Sequence, residues 1–300
     1  MLRFSLRAVR WLLKKTDILI TRQRFGNPYF APPEDGPEIE RWRAFLSRLD
    51  APGKGGEAYR DLHLDRLART LSLVPAPGAT GRALELGCYM QITPALALAL
   101  GYREVRGAYL GPAGQTDSKA ATMGGQEVFR CEIDLFDAER DPFPYQDGAF
   151  DCVLACEILE HLRTDPMHML TEIRRVLAEG GALVLTTPNC ASLNSVTRAL
   201  HGYENPQVFA CYPHPERSPG EVPHVREYTP SEARRALEAA GFRVEMLETD
   251  RIGGYREGTW TLDLLERHGF DTTLRGEQIY CRAIKDSALP VTRYPAFLYK

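Results

Sequence analysis

The stretch AFDCVLACEILEHLRTDPMHMLTEIRRVLAEGGALVLTTPN, residues 149–189, decides the fold. Its first part, 149–156, is an apolar run with the length of a buried strand. A helical pattern follows over 166–179. Asp165 stands as its cap, Pro166 takes the first helical position, and Gly180 stops it. Leu170, Ile173, Val176 and Leu177 line one face of that helix. ALVLTT, 182–187, is the next strand. A strand, a helix and a strand in this order imply parallel strands buried by helices.

The same alternation extends in both directions. Upstream, RALEL (82–86), EVRGAYL (104–110) and EVFRCEI (127–133) read as strands, with a helix over 94–101. Downstream, 229–241 is a helix with Thr229 as cap, Pro230 at its start, Glu232 completing a capping box and Gly241 ending it. FRVEMLE (242–248) and EQIYCRAIK (277–285) are the last two strands. Helices over 38–49 and 61–74 precede this core. Ligands of such sheets bind beyond the carboxyl ends of the strands. Functional residues are therefore expected just after residues 86, 110, 133, 156 and 187.

The composition narrows the function classes. The 300 residues are 44% hydrophobic and 26% charged, as in a globular protein with a sizeable core. A formal charge of -3, from 37 basic and 40 acidic residues, does not suit a chain that coats nucleic acid. The seven cysteines form no CxxC pair, and Cys and His show no zinc-ligand spacing, so no metal is expected. The reading is of reduced, mostly structural thiols in a cytoplasmic protein.

With its motifs in order, the chain resembles the class I S-adenosylmethionine-dependent methyltransferases, in their small-molecule branch. PFPYQDGAFDCVLACEILEHL (142–162) and LTEIRRVLAEGGALVLTTPN (170–189) carry the resemblance, and HVREYTPSEARRALEAAGF (224–242) adds to it. The resemblance implies a Rossmann-like, doubly wound α/β fold. Its mostly parallel sheet would have seven strands, the last antiparallel, with helices on both faces and an N-terminal helical extension. It also implies S-adenosylmethionine as cofactor. Asp134 would accept a hydrogen bond from the adenine amine, and Leu135 and Phe136 would pack on the ring. Glu157 and His161 would touch the methionine part or the acceptor.

The cofactor loop departs from the family pattern. ALELGCYMQ (83–91) keeps Glu85, Gly87 and Cys88, but Tyr89 and Gln91 stand where glycines are usual. No acid ends the second strand, where Tyr109 stands instead, so Tyr109, Gln91 or backbone would hold the ribose. An inactive, methyltransferase-like scaffold is the alternative these departures leave open. A nicotinamide-dependent oxidoreductase is not, because G-x-G-x-x-G and its following acid are absent.

Residues 61–285 form the expected catalytic domain, followed by a tail over 286–300. Within the domain, 189–228 is long for a connection and reads as a lid or substrate-binding insertion. It carries His201, His214, Arg217, His224, Arg226 and Glu227, a surface suited to a small hydroxylated acceptor such as a saccharide. His224 is the candidate general base. Residues 1–60 read as an extension. On a helix over 1–20, Arg3, Arg7, Arg10 and Lys14 form a basic stripe beside Leu2, Leu6, Val9 and Leu13. That segment could pack on its own domain, associate with a second copy, or lie on the inner face of a membrane.

Overall fold

The computed structural model describes residues 36–50, 56–202, 204–214, 216, 222–250, 259–270, 272 and 274–300. The amphipathic segment 1–20 and Arg217 lie outside these residues. The described residues form one mixed sheet of eight strands: β1 Arg82–Leu86, β2 Glu104–Tyr109, β3 Gln115–Met123, β4 Gln126–Leu135, β5 Phe150–Cys156, β6 Leu177–Pro188, β7 Phe242–Asp250 and β8 Gln278–Lys285. Their order is β3-β4-β2-β1-β5-β6-β8-β7. The central five, from β4 to β6, run parallel. The last strand, β8, is antiparallel to both β6 and β7.

One strand exceeds the expected seven. β3 pairs antiparallel with β4 at the sheet edge, across the Gly124-Gly125 turn. Both glycines have positive φ, +57° and +78°, as the tightest hairpin turns require. QTDSKAATM buries only Ala121, so it carries no apolar run to announce a strand.

Seven helices of the described residues flank the sheet: α1 Pro37–Leu46, α2 Gly56–Ser72, α3 Thr93–Leu98, α4 Pro166–Val176, α5 Leu193–His201, α6 Pro230–Ala239 and α7 Thr259–Arg267. Alternate residues of the central strands feed two cores. Ala83, Leu154, Val184 and Tyr280 face α1 and α2, joining Trp42, Leu46, Leu67 and Leu71. Leu84, Val153, Leu183 and Cys281 face the other side, joining Ile173, Leu237 and Phe242. A sheet buried on both faces explains the near-continuous apolar strands. α1 thus shares a core with the sheet, and α2 runs across residue 60.

The helix expected over 166–179 ends at Val176. Leu177 is already extended and pairs with Phe150 in the sheet. Gly180 turns the chain at φ +72°, and a Cβ on Gly181 would sit 2.9 Å from the Ala178 carbonyl oxygen. Asp151 accepts from the Thr80 and Gly81 amides at 3.1 and 2.6 Å, anchoring the entry to β1. The capping box of α6 forms as its sequence implies.

The segment 286–300 is docked. Phe297, Leu298 and Tyr299 pack on the second core. Arg293 grips Asp165, the cap of α4, with a 2.7 Å bond from Nη1 and a second from Nη2, while the Tyr299 hydroxyl donates to the same carboxylate. Burial pushes the Asp165 carboxyl up, but the bonds from Arg293 and Tyr299 outweigh it and hold it at about 2, against an ordinary 3.8. A depressed carboxylate stabilises the fold above its unfolded value and loses that contribution as pH falls through its folded value. Asp165 therefore contributes about 2 kcal/mol at neutral pH. In Asp165→Asn, denaturant unfolding should show that loss at pH 7 and little difference from wild type below about pH 2. An unchanged midpoint at pH 7 would contradict the assignment.

Candidate functional site

The parallel strands end level with one another. Leu86 of β1 pairs with Ala108 and Ala155, Tyr109 pairs with Leu135, and Cys156 pairs with Thr186. The loops after β1, β2, β4, β5 and β6 therefore open on one edge. That edge holds most of the residues expected to act.

After β1, the chain turns at Gly87, φ +66°, and again at Met90, φ +64°. Met90 adopts left-handed backbone, unusual for a residue with a side chain. Two left-handed turns thus remain in a loop where Tyr89 and Gln91 replace glycine. Cys88 is fully buried, so its thiol faces the core and only its backbone borders the edge. Its amide donates to the Ala108 carbonyl at 3.1 Å. A Cβ on Gly107 would lie 2.6 Å from Cys88 Sγ, so the loop lies directly on β2 because residue 107 is glycine. Glu85 is also buried and accepts from the Thr93 hydroxyl. Burial and the neighbouring Cys88 push its carboxyl well above the ordinary range. Tyr89 is exposed and stacks on Tyr109, with ring centroids 6.3 Å apart. The Lys119 ammonium lies 4.4 Å from the Tyr109 ring centre.

The extra strand supplies an acid beside β2. The Tyr109 hydroxyl donates to Asp117 of β3. That bond, more than burial, pushes Tyr109 up to about 12. Asp134, in β4, accepts from Arg106 Nη2 at 2.7 Å, Arg106 Nε at 3.2 Å and the Tyr145 hydroxyl at 2.7 Å. A carboxylate offers about four lone-pair positions, so three donors leave one. Leu135 is half-buried, with its side chain against Gly111. Phe136, expected to pack on the adenine ring with Leu135, instead turns inward. It is 3% exposed and packs in the core on Phe143, at 4.7 Å between centroids.

Glu157 follows β5 with φ +55°. Its amide donates to the Thr186 carbonyl at 2.9 Å, which holds this strained backbone. Its Oε1 accepts from Thr186 Oγ1 at 2.8 Å and Gln278 Nε2 at 2.6 Å, and lies 3.7 Å from Arg66 Nη1. Arg66 comes from α2 and is buried. Gln278 Oε1 is buried with no partner among the described residues. Arg66, Gln278 and Asp117 carry no sequence signal, because each joins the site from a distant strand or helix.

His161 ends a single 3-10 turn, Leu159–His161, and meets His224 edge-to-face at 4.7 Å between centroids. The two expected catalytic histidines are thus together. His161 Nδ1 lies 3.2 Å from the Pro223 carbonyl oxygen, and His224 Nδ1 lies 3.2 Å from Glu227 Oε1. Glu227 is itself buried and accepts from the Val208 and Phe209 amides at 2.6 and 2.8 Å. Glu160, beside His161, is fully buried. Burial and the nearby Glu157 push its carboxyl well above the ordinary range. Part of the 189–228 segment is regular structure. Its residues 193–201 form α5, capped by Ser192 and closed by Gly202 at φ +66°. His201 stacks near Trp260, away from the histidine pair.

The chain is 28% identical over 154 residues to a probable S-adenosylmethionine-dependent methyltransferase of Mycolicibacterium smegmatis, covering 51% of this chain and 50% of that protein. It is 40% identical over 62 residues to an uncharacterised 37.1 kDa protein in a Streptomyces fradiae transposon, covering 21% of this chain and 17% of that one. The chain thus spans half or less of these curated relatives. Among solved structures it is similar to a Haloferax volcanii putative methyltransferase complexed with the Trm112 activator. Identity is 16%, coverage 84% and 96%, and the TM-score 0.48. An S-adenosylmethionine-dependent methyltransferase from Mesorhizobium loti is similar at 16% identity, coverage 75% and 98%, TM-score 0.46. The model of the family described as "Methyltransferase domain" matches residues 57–247, from α2 into β7. With that match over most of its length and a doubly wound sheet whose penultimate strand in space runs antiparallel, the chain belongs to the class I S-adenosylmethionine-dependent methyltransferase family.

Proposed function

We propose that this chain transfers a methyl group from S-adenosylmethionine to a hydroxyl of a small molecule, with a sugar or cell-envelope glycan precursor as the preferred acceptor. The observation that carries the reading is the histidine pair at the open edge, with His224 backed by the buried carboxylate of Glu227. Phe209, half-exposed with its ring centroid 4.8 Å from that of His224, suits the face of a sugar ring.

The residues at the strand ends fit the cofactor. The left-handed turns at Gly87 and Met90 keep the backbone path close to the edge. Asp134 retains a lone pair for the adenine amine. Tyr109 and Asp117 together offer a donor and an acceptor for ribose hydroxyls, in place of the missing β2 acid. Gln278 Oε1, buried without a donor among the described residues, suits the ammonium of the methionine part, with Glu157 beside it. Glu85 and Cys88 support the loop from beneath.

When bound, the cofactor supplies an electrophilic methyl carbon on a sulfonium that departs as a neutral thioether. The chain's task is then to orient the acceptor hydroxyl and remove its proton. His224, with Nδ1–H on Glu227, presents the Nε2 lone pair as base, and Glu227 stabilises the imidazolium formed. His161 and its contact with Pro223 hold the ring in place. We place the reaction in the cytoplasm, with residues 1–20 contacting a membrane surface or a second copy. Among the described residues no helix is long and apolar enough to cross a membrane.

The test is a screen of hydroxylated acceptors with radiolabelled cofactor, followed by His224→Asn on the best one. A loss in kcat of about 10²–10⁴-fold with unchanged affinity for S-adenosylhomocysteine is expected. Unchanged kcat would remove His224 from the chemistry. Transfer only to nitrogen or to macromolecules would overturn the acceptor class.

A further inference from the structure

Glu160, His161 and His224 each bring one ligand-type atom within 4.8 Å of the others. Several features mark this cluster as built for a cation. Glu160 has no exposed surface. Its Oε2 accepts from Thr187 Oγ1 at 2.9 Å, while Oε1 has no partner among the described residues. A buried carboxyl oxygen left without a donor is costly, and native structures keep few of them.

The two imidazoles are oriented as metal-binding histidines are. Each turns Nδ1 to an oxygen acceptor, His161 to the Pro223 carbonyl and His224 to the Glu227 carboxylate. Such outer contacts fix the tautomer whose lone pair is on Nε2. The chain also clamps the three residues to one another. The Val225 and Arg226 amides both donate to the Glu160 carbonyl, at 2.8 and 3.2 Å, which ties the segment carrying His224 to the turn carrying the other two. Nothing in the arrangement of the acceptor's base requires Glu160 to be acidic and buried.

We infer that Glu160, His161 and His224 bind one divalent transition-metal cation of the zinc class at the acceptor end of the edge. Two imidazole nitrogens and one carboxylate oxygen suit Zn²⁺ or Mn²⁺, whereas Mg²⁺ and Ca²⁺ favour all-oxygen sets. Three protein ligands leave a coordination position open. The consequence for catalysis rests on the proposed methyl transfer, but the binding itself does not. In that reaction the acceptor hydroxyl would take the open position and be acidified there. On a metal-loaded chain this replaces the base role of His224: its Nε2 is then a ligand, and the hydroxyl proton passes to water. The oxygen forms its bond to the methyl carbon as the carbon–sulfur bond breaks.

The experiment uses the full chain after chelator treatment, titrated with Co²⁺ and with Zn²⁺ alone. Bound metal is counted after gel filtration, and visible Co²⁺ bands report nitrogen and oxygen ligation. About one equivalent is expected, with Glu160→Gln, His161→Asn and His224→Asn each weakening it at least tenfold. Thermal melting and S-adenosylhomocysteine binding accompany every variant. Should Glu160→Gln misfold, the two histidine variants decide alone, since both rings are partly exposed. Negligible metal on the wild-type chain, or binding unmoved by the variants, overturns the inference. Loss of S-adenosylhomocysteine binding on a chain that binds cobalt would instead count against the cofactor reading and leave the metal site standing.

Discussion

Asp134→Ala should weaken S-adenosylhomocysteine binding by ten- to a hundredfold and also lower stability. The two effects have separate origins. A hydrogen bond to a charged group is worth about 1.5–3 kcal/mol, which covers that range in affinity. The stability loss comes from Arg106, which is 24% exposed and would lose both of its bonds to the carboxylate. Tyr145→Phe separates them. It removes one donor to Asp134 while keeping the acceptor, so binding should stay within about threefold of wild type. Titration calorimetry and denaturant unfolding on the same preparations check both halves. If Asp134→Ala binds as tightly as wild type, Asp134 serves only to fasten β4 to β2.

Arg66→Ala should be the most destabilising single change near the site. Arg66 is 6% exposed, donates to the Tyr59 hydroxyl at 2.8 Å and faces Glu157. Burial is the largest single influence and opposes its charge; Glu157, Tyr59 and Tyr280 together outweigh it. Removing one partner of a buried pair strands the other, at a cost of about 3–5 kcal/mol. Arg69, on the same helix, pairs with Glu248 of β7, and each side chain is about one-third exposed. Arg69→Ala should therefore cost only about 1 kcal/mol or less. Thermal or urea unfolding of the two variants side by side gives the comparison. Equal losses would mean that Arg66 gains nothing from Glu157. Because Glu157 ends β5 in left-handed backbone, Arg66→Ala should also weaken cofactor binding.

These residues show where sequence reading succeeds and where it stops. β5, α4 and β6 are legible because each side chain reports on burial by period, and Asp165, Pro166 and Gly180 punctuate them. β3 is not, since an edge strand with one buried residue has no apolar period. α5 does carry end signals, Ser192 and Gly202, hidden within a long polar segment. At the site, Asp134 and Glu157 stand out as acids at the ends of apolar strand patterns. Their partners do not: Arg106, Tyr145, Gln278 and Arg66 reach them only through strand order and helix packing. Phe136 misleads for a related reason. A residue just past a strand end can turn inward, and Phe143 is there to receive it. Glu160 lies one residue from His161, yet nothing linear reveals that His224 joins them.

Titration calorimetry of the full chain with S-adenosylmethionine and S-adenosylhomocysteine tests most directly whether the altered loop binds the cofactor. The left-handed turns at Gly87 and Met90 and the remaining lone pair on Asp134 predict binding in the micromolar range for both ligands. No heat at millimolar ligand, from a chain that melts cooperatively, would contradict the account and make the fold a methyltransferase-like scaffold.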